Sequence, residues 1–263
     1  MDLIRAFEDT QRQVRETPEL AAATLCMQAD TRLYLEGYRA IAPQEKRRDT
    51  VVSVVADTTF RCAQGFAGCG KVAVLNFANA YTPGGSVKHG VMAQEECLCR
   101  SSNLYEGLTI PYMLRHYYKW NEKNTGAMGS DRIIYHPRVT VFKDDGPLLE
   151  NLEAPFEVDV ITCAAPYYDV QKKKPVTLDK LEDVFYHRIR NILEVAAGND
   201  VDVLILGAFG CGAFHNPPKL VARVMRRLLV TEGHARRFLK VVFAIKAGAS
   251  SENLWAFREE FGV

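Results

Sequence analysis

Six short apolar runs, each rich in β-branched residues, limit the folds open to this chain more than any other feature. They are VVSVVAD, KVAVLNFAN, RVTVF, FEVDVITCAAP, VDVLILGAF and FLKVVFAIKAG, and all lie after residue 50. Several are apolar at nearly every position, which is the pattern of strands covered on both faces. The chain therefore needs helices above and below a buried sheet.

Helical segments separate the later strands. The segment TLDKLEDVFYHRIRNILEVAAG has apolar residues at helical spacing before Gly198. The segments NPPKLVARVMRRLLVTEG and SSENLWAFREEF repeat that spacing, and begin with prolines or serines, which suit the start of a helix. Strands that alternate with helices predict a three-layer α/β/α sandwich around a mixed, largely parallel central sheet.

The first fifty residues have a different pattern. They are periodic as helices are, with a break at Pro18, and they predict an N-terminal helical cap. No repeat or low-complexity linker divides the chain, and 263 residues can bury one large core. We predict one domain over residues 1–263, with residues 1–49 as a helical extension packed on it. Two polar segments, residues 118–132 and 169–176, are predicted to be exposed loops, the second around the lysines 172–174.

The balance of charges and the spacing of the cysteines limit the classes of partner and of metal site that we expect. Lys plus Arg number 33 against 32 Asp plus Glu, and no apolar run is long enough to span a bilayer. We therefore expect a cytoplasmic protein without a membrane or nucleic-acid partner. The oligomeric state is left open by the sequence, with a monomer favoured. The 7 cysteines form no CxxC pair. A metal site from His89, Cys97 and Cys99 has an unfamiliar spacing, so we expect no metal and buried thiols that pack as small hydrophobes.

Two strand-to-helix turns carry the residues best suited to chemistry. In VLNFANAYTPGGSVKHG a strand leads through glycines towards a helix with Glu95 and Glu96 at its start, and in LILGAFGCGAFHNPP a strand opens into three glycines. Ligands of open α/β sheets bind beyond the carboxyl ends of the strands. Glycines there let backbone N–H groups approach a phosphate. Each turn alone also fits a purely structural role, and the acidic pair alone fits a helix dipole; only the combination indicates a site.

The combination resembles a known family. NFANAYTPGG followed by QEE, with LILGAFGCGAFHNPP later in the chain, is similar to the bacterial and fungal type of poly(ADP-ribose) glycohydrolase, a branch of the macrodomain superfamily. The resemblance runs from about Val51 to the C-terminus. It implies a macrodomain-like fold and a hydrolase without a cofactor. Such an enzyme cleaves the O-glycosidic bond at C1 of the distal ribose of poly(ADP-ribose), or of a terminal ADP-ribose, and releases ADP-ribose.

The resemblance also assigns roles. Glu96 matches the family's catalytic acid and Glu95 its helper. Asn79 matches a residue that contacts the distal ribose, Phe214 an aromatic that packs on the sugar, and Asp57 an aspartate that contacts adenine. The glycines after Pro83 match the catalytic loop, and residues 210–213 match the diphosphate loop. The implied substrate-binding set is Asn79, Gly84, Gly85, Ser86, Gln94, Gly210, Cys211, Gly212, Ala213, Phe214 and Asp57.

One position departs from the family signature of three consecutive glycines. Ser86 stands where the third glycine is expected. A Cβ obstructs a backbone that must adopt positive φ or approach a sugar closely, so the serine would then weaken binding of the polymer end. Alternatively the serine is tolerated and its hydroxyl adds a contact. The sequence leaves both open.

Adjacency of the two glutamates argues against a pair of carboxyls that flank the bond. Neighbouring helical residues point about 100° apart, so they cannot sit on opposite faces of one sugar. We therefore expect Glu96 to act alone, first as acid and then as base. Two other functions stay open: a binding module that recognises ADP-ribose without cleaving it, and a hydrolase of mono-ADP-ribosyl groups or O-acetyl-ADP-ribose. Retention of both glutamates favours a hydrolase.

Overall fold

The computed structural model describes residues 2–40, 46, 49–146, 149–168, 176–246 and 251–262. Seven strands join one sheet in the order β1-β4-β5-β3-β6-β7-β2. Their bounds are β1 (Arg32–Tyr34), β2 (Val51–Val55), β3 (Val72–Phe77), β4 (Ile133–Lys143), β5 (Asn151–Cys163), β6 (Val203–Leu206) and β7 (Lys240–Ala244). All six predicted runs form strands.

The sheet is mixed and largely parallel, as predicted. Strands β5, β3, β6, β7 and β2 run parallel to one another. Strand β4 is antiparallel to β5, and β1 is antiparallel to β4. The carboxyl ends of the five parallel strands therefore meet at one edge of the sheet.

Helices cover both faces. They are α1 (Leu3–Glu16), α2 (Pro18–Asp30), α3 (Thr59–Gln64), α4 (Gln94–Ser101), α5 (Leu104–Leu108), α6 (Pro111–Met113), α7 (Lys119–Asn124), α8 (Leu178–Gly198), α9 (Pro218–Arg226) and α10 (Glu252–Phe261). Local chemistry explains several starts. The Thr177 side chain accepts a hydrogen bond from Lys180 N at α8, and Ser251 accepts one from Leu254 N at α10.

Alternating strand positions supply two separate apolar cores. Leu75 of β3 belongs to the core that includes Phe185 of α8, whereas its neighbour Val74 belongs to the core that includes Phe7 of α1 and Leu98 of α4. Successive strand side chains point to opposite faces, so β3 contributes to both cores. This arrangement confirms the three-layer α/β/α prediction.

The N-terminal region differs in part from the predicted helical cap. The break at Pro18 is confirmed, because α1 ends at Glu16 and Pro18 begins α2. However, residues 32–34 form β1, which pairs with β4 and joins this region to the sheet. The prediction of helix alone was wrong there, because an edge strand of three residues is too short to produce a pattern. The single-domain boundaries stay a prediction.

Other sequence expectations have mixed outcomes. All seven cysteines are free; Cys62, Cys99 and Cys163 are buried as expected, but Cys26 and Cys69 are exposed, so the prediction of buried thiols was wrong for these two. Residues 118–132 are not simply a loop, since they include α7. Residues 169–175, with the lysine run, lie outside the described residues. No helix in the described part of the chain is long and apolar enough to cross a membrane.

Candidate active site

A cleft of about 630 Å³ lies at the edge of the sheet where the parallel strands end. Each of these strands contributes a residue that follows its last position to the cleft wall: Asp57, Asn79, Ala165, Gly210 and Lys246. This is the place where open α/β sheets bind ligands, and the size suits a nucleotide-like molecule.

Helix α4 brings both glutamates to the cleft. It begins at Gln94, so Glu95 and Glu96 occupy its first turn, and both line the cleft although they are only 3% and 6% exposed. Oε1 of Glu96 accepts a hydrogen bond from the backbone N–H of Ser86 at 2.9 Å. The hydrogen bonds of the described residues leave its other oxygen, Oε2, unengaged. Glu96 thus has one anchored oxygen and one oxygen available to a ligand.

Glu95 is held from several sides. Its Oε2 accepts a hydrogen bond from Asn79 N at 2.8 Å, and its Oε1 accepts one from Asn76 Nδ2 at 3.3 Å. Burial raises the pKa of Glu95 to about 8; the charge of Glu96 adds to this, and hydrogen bonds from Asn79, Asn76 and the Gly84 backbone oppose it. Glu95 is therefore largely protonated at neutral pH. Through these hydrogen bonds Glu95 connects the end of β3 to the loop that contains Gly84 and Gly85, here called the glycine loop.

The two glycines of this loop are required by their surroundings. Gly84 has φ +69° and Gly85 has φ +56°, in the left-handed region. A Cβ at Gly84 would lie 2.8 Å from the Tyr105 ring, and a Cβ at Gly85 would lie 3.2 Å from both Oε2 of Glu95 and Cδ of Glu96. Gly85 lets the chain pass directly over the two carboxyl groups.

Ser86 does not share that constraint. Its φ is −105° and its ψ is 31°, a conformation open to any residue, and it precedes the short 3₁₀ turn Val87–His89. The backbone N–H that holds Glu96 is independent of the side chain. The conformational objection to a serine at this position therefore does not apply, and Ser86 is one of the residues that line the cleft.

Asn79 and Gln94 use their side-chain amides differently. Oδ1 of Asn79 accepts hydrogen bonds from Tyr81 N at 2.8 Å and Thr82 N at 2.9 Å. Only its Nδ2 donor remains for a ligand. Both ends of the Gln94 amide are engaged within the protein, with Phe77 N as one partner.

The second loop, after β6, is closed by a buried asparagine. Asn216 is 1% exposed, and its Nδ2 donates to Gly210 O at 2.9 Å and to Pro166 O at 2.7 Å. Gly210 has φ +75°, and a Cβ there would lie 2.5 Å from the Ala165 Cβ. Nothing lies within 4 Å of a Cβ built at Gly212. The loop is thus tightly packed at Gly210 and open at Gly212.

The structure brings most of the predicted residues together. Gly84 and Cys211 do not line the cleft; Gly84 is buried behind it, and the Cys211 thiol lies near Phe209 O. All other members do line it: Asp57, Asn79, Gly85, Ser86, Gln94, Glu95, Glu96, Gly210, Gly212, Ala213 and Phe214. Among the described residues, no group of three His, Cys, Asp or Glu side chains lies close enough together to hold a metal ion.

Three contributors were missed at the sequence level. Asn76 is a polar residue in the otherwise apolar run of β3, and that exception could have drawn attention to it. Asn216 precedes two prolines and gives no comparable signal. Asp145, which follows β4 in the chain, accepts a hydrogen bond from Thr58 Oγ1 at 2.8 Å beside Asp57, and burial raises its pKa.

Comparison with known proteins decides the family. The family model for the microbial-type PARG catalytic domain matches residues 4–144. The chain belongs to the microbial-type poly(ADP-ribose) glycohydrolase (PARG) family. The matched segment runs from α1 through β4 and contains Asn79, the glycine loop and both glutamates. The loop that Asn216 closes lies beyond it.

Solved structures of bacterial PARG extend the similarity to nearly the whole chain. The enzyme from Thermomonospora curvata is 30% identical, covers 98% of both chains and has a TM-score of 0.86. Its structure with the inhibitor ADP-HPD has a TM-score of 0.85. PARG from Deinococcus radiodurans in complex with ADP-ribose is 35% identical over 91% of this chain and 96% of that one, with a TM-score of 0.78. A search of curated protein sequences finds no similar sequence.

Proposed function

We propose that this protein is a poly(ADP-ribose) glycohydrolase that hydrolyses the O-glycosidic bond at C1 of the distal ribose and releases ADP-ribose. The observation that carries the proposal is the state of Glu96, which has one oxygen fixed by Ser86 N and the other unengaged at the cleft. A module that only binds ADP-ribose does not need an acid held in this way. Relatives solved with ADP-ribose and ADP-HPD support the ligand class.

The ligand's parts can be assigned along the cleft. The diphosphate would lie on the loop from Gly210 to Ala213, whose backbone is open at Gly212. The Asn79 Nδ2 group would donate to an oxygen of the distal ribose, and Phe214 would pack on that sugar. Asp57, which also lines the cleft, would accept a hydrogen bond from the adenine amino group. This orientation brings the distal ribose to the glutamates.

The chemistry then needs a single carboxyl group. Protonated Glu96 donates its proton to the oxygen that leaves C1, and the C1–O bond breaks as positive charge develops on the ribose. The diphosphate stabilises that charge. Glu96, now a carboxylate, takes a proton from the water that attacks C1, which regenerates the acid and completes ADP-ribose.

Glu95 has a different role in this scheme. Its carboxyl is buried and largely protonated at neutral pH, so it adds little negative charge beside Glu96. Its hydrogen bonds instead hold Asn79 N and the Gly84 backbone. Glu95 would therefore set the positions of the ribose-binding asparagine and of the glycine loop.

Product release tests the function. The protein is incubated separately with poly(ADP-ribose) and with a mono-ADP-ribosylated protein, and free ADP-ribose is measured by chromatography. We expect ADP-ribose from the polymer. Saturable binding of polymer without release would refute the hydrolase and indicate a binding module, and release from the mono-ADP-ribosylated protein alone would refute the polymer as substrate.

A further inference from the structure

The sheet opens between β3 and β6 directly beneath the cleft. Strand β6 pairs with β3 only as far as Val74, opposite Ile205, whereas β5 continues to pair with β3 as far as Phe77. The Leu75 C=O and the Phe77 N–H, which face β6, therefore lie beyond the pairing of these two strands. Unpaired backbone groups at a buried position are costly and normally acquire another partner.

The side chain of Gln94 occupies that opening. Its Nε2 donates to Leu75 O at 2.8 Å, and its Oε1 accepts from Phe77 N at 2.9 Å. A residue in a parallel strand bonds in the same way, to the carbonyl of one residue and to the N–H of the residue two positions later. Nε2 also donates to Thr59 Oγ1 of α3 at 3.1 Å. Both amide hydrogens are thus engaged inside the protein.

Gln94 is also the first residue of α4. The residue before it, Ala93, provides no side-chain cap, so no polar cap fixes this helix start. Glu96 accepts a hydrogen bond from Ser86 N in a loop, and Glu95 accepts hydrogen bonds from Asn79 N in a loop and from the side chain of Asn76 in β3. Among the three residues of this first turn, Gln94 alone bonds to the backbone of a sheet strand within its paired length.

We infer that Gln94 is a positioning residue: its amide acts as an extra pairing unit on the open end of β3, and so fixes the first turn of α4 and the two glutamates on it. This rests on the proposed function and adds a role that is distinct from ligand binding. Displacement of a reacting group by about 1 Å can lower a rate about a hundredfold. Loss of the Gln94 contacts should therefore act on catalysis more than on affinity.

The test compares Gln94→Met with Gln28→Met in the full chain. Methionine keeps the length of the side chain and removes the hydrogen bonds. Gln28 is a matched control, because its Nε2 also donates to a backbone carbonyl, Glu106 O, at 2.9 Å, but on α2. For Gln94→Met we expect kcat on poly(ADP-ribose) to fall about tenfold or more, while KM and the Kd for ADP-ribose change less than about threefold. Gln28→Met should keep the wild-type kcat.

Hydrogen exchange gives a readout that does not depend on turnover. The Phe77 amide should exchange faster in Gln94→Met and not in Gln28→Met, because only the first removes its acceptor. If Gln94→Met does not fold, Thr59→Val removes one of the same contacts, and a smaller fall in kcat is expected.

Three results would overturn the inference. They are an unchanged kcat in Gln94→Met, a rise in the Kd for ADP-ribose that accounts for the whole loss, and unchanged exchange at Phe77. The last is measured even if the wild-type protein releases no ADP-ribose. Failure of the proposed function, seen as a wild type without turnover, is thus distinguishable from failure of the hydrogen-bonding role of Gln94.

Discussion

Replacement of Gly85 by alanine should separate catalysis from stability at the glycine loop. Gly85 has φ +56°, and its added Cβ would meet the carboxyl groups of Glu95 and Glu96. An L-residue in the left-handed region costs about 1–2 kcal/mol. Relief of the overlap requires the Glu96 carboxyl to move, which weakens the hydrogen bond from Ser86 N, a contact worth about 0.5–1.5 kcal/mol.

The backbone strain and the weakened hydrogen bond predict that Gly85→Ala is folded but poorly active. A loss of about 1.5–3.5 kcal/mol in the free energy of unfolding leaves many domains folded at 25 °C, since their stability is about 5–15 kcal/mol. A shift of the acid by about 1 Å should lower kcat about a hundredfold. The measurements are ADP-ribose release from poly(ADP-ribose) at saturating substrate, and urea denaturation.

Gly37→Ala is the matched control. Gly37 has φ +75°, so alanine there pays the same backbone strain, but nothing lies within 4 Å of its added Cβ. We expect Gly37→Ala to lose about 1–2 kcal/mol of stability with wild-type kcat. The account of the glycine loop is refuted if Gly85→Ala keeps kcat within about twofold of wild type, or if Gly37→Ala loses as much activity.

Two further predictions concern Glu95 and Asn216. The folded-state pKa of Glu95 is raised from the unfolded value of 4.5 to about 8. The contribution of protonated Glu95 to the free energy of unfolding is therefore complete below the unfolded pKa and is lost as the pH rises through the folded pKa. Relative to Glu95→Gln, wild-type stability in urea should therefore fall by about 1.4 kcal/mol per pH unit between these values, and parallel stability profiles would contradict the assignment. Asn216→Ala removes two buried hydrogen bonds, so we expect a loss of about 2 kcal/mol in denaturation and weaker ADP-ribose binding in calorimetry; unchanged affinity would contradict its role in the loop.

The central sheet was predictable because its strands are buried on both faces. Nearly continuous apolar runs such as Val72–Phe77 produce a pattern that strands with one polar face do not. Strand β4 was only partly predicted. It contains Pro137 and Arg138, the latter with φ +52°, where the pairing with β5 shifts register. A proline beside a bulge breaks the sequence pattern although the strand continues.

The site was predictable where its residues are close in sequence. The glycines and Glu95–Glu96 lie in one turn and its helix, so their order could be compared with a family signature. Asn76 and Asn216 act through contacts between distant segments, such as the Asn216 hydrogen bond to Pro166 O. Such contacts depend on the folded sheet and have no local pattern. The conformation at Ser86 was also open, because sequence does not specify φ there.

The central claim, that Glu96 alone acts as the catalytic acid and base, is tested most directly by Glu96→Gln. This change keeps the size of the side chain and an oxygen for Ser86 N, but removes the acid. Release of ADP-ribose from poly(ADP-ribose) and binding of ADP-ribose are measured on the same preparation. The account predicts loss of release by at least about a thousandfold with the Kd for ADP-ribose within a few fold of wild type. Near-normal release by Glu96→Gln would contradict it.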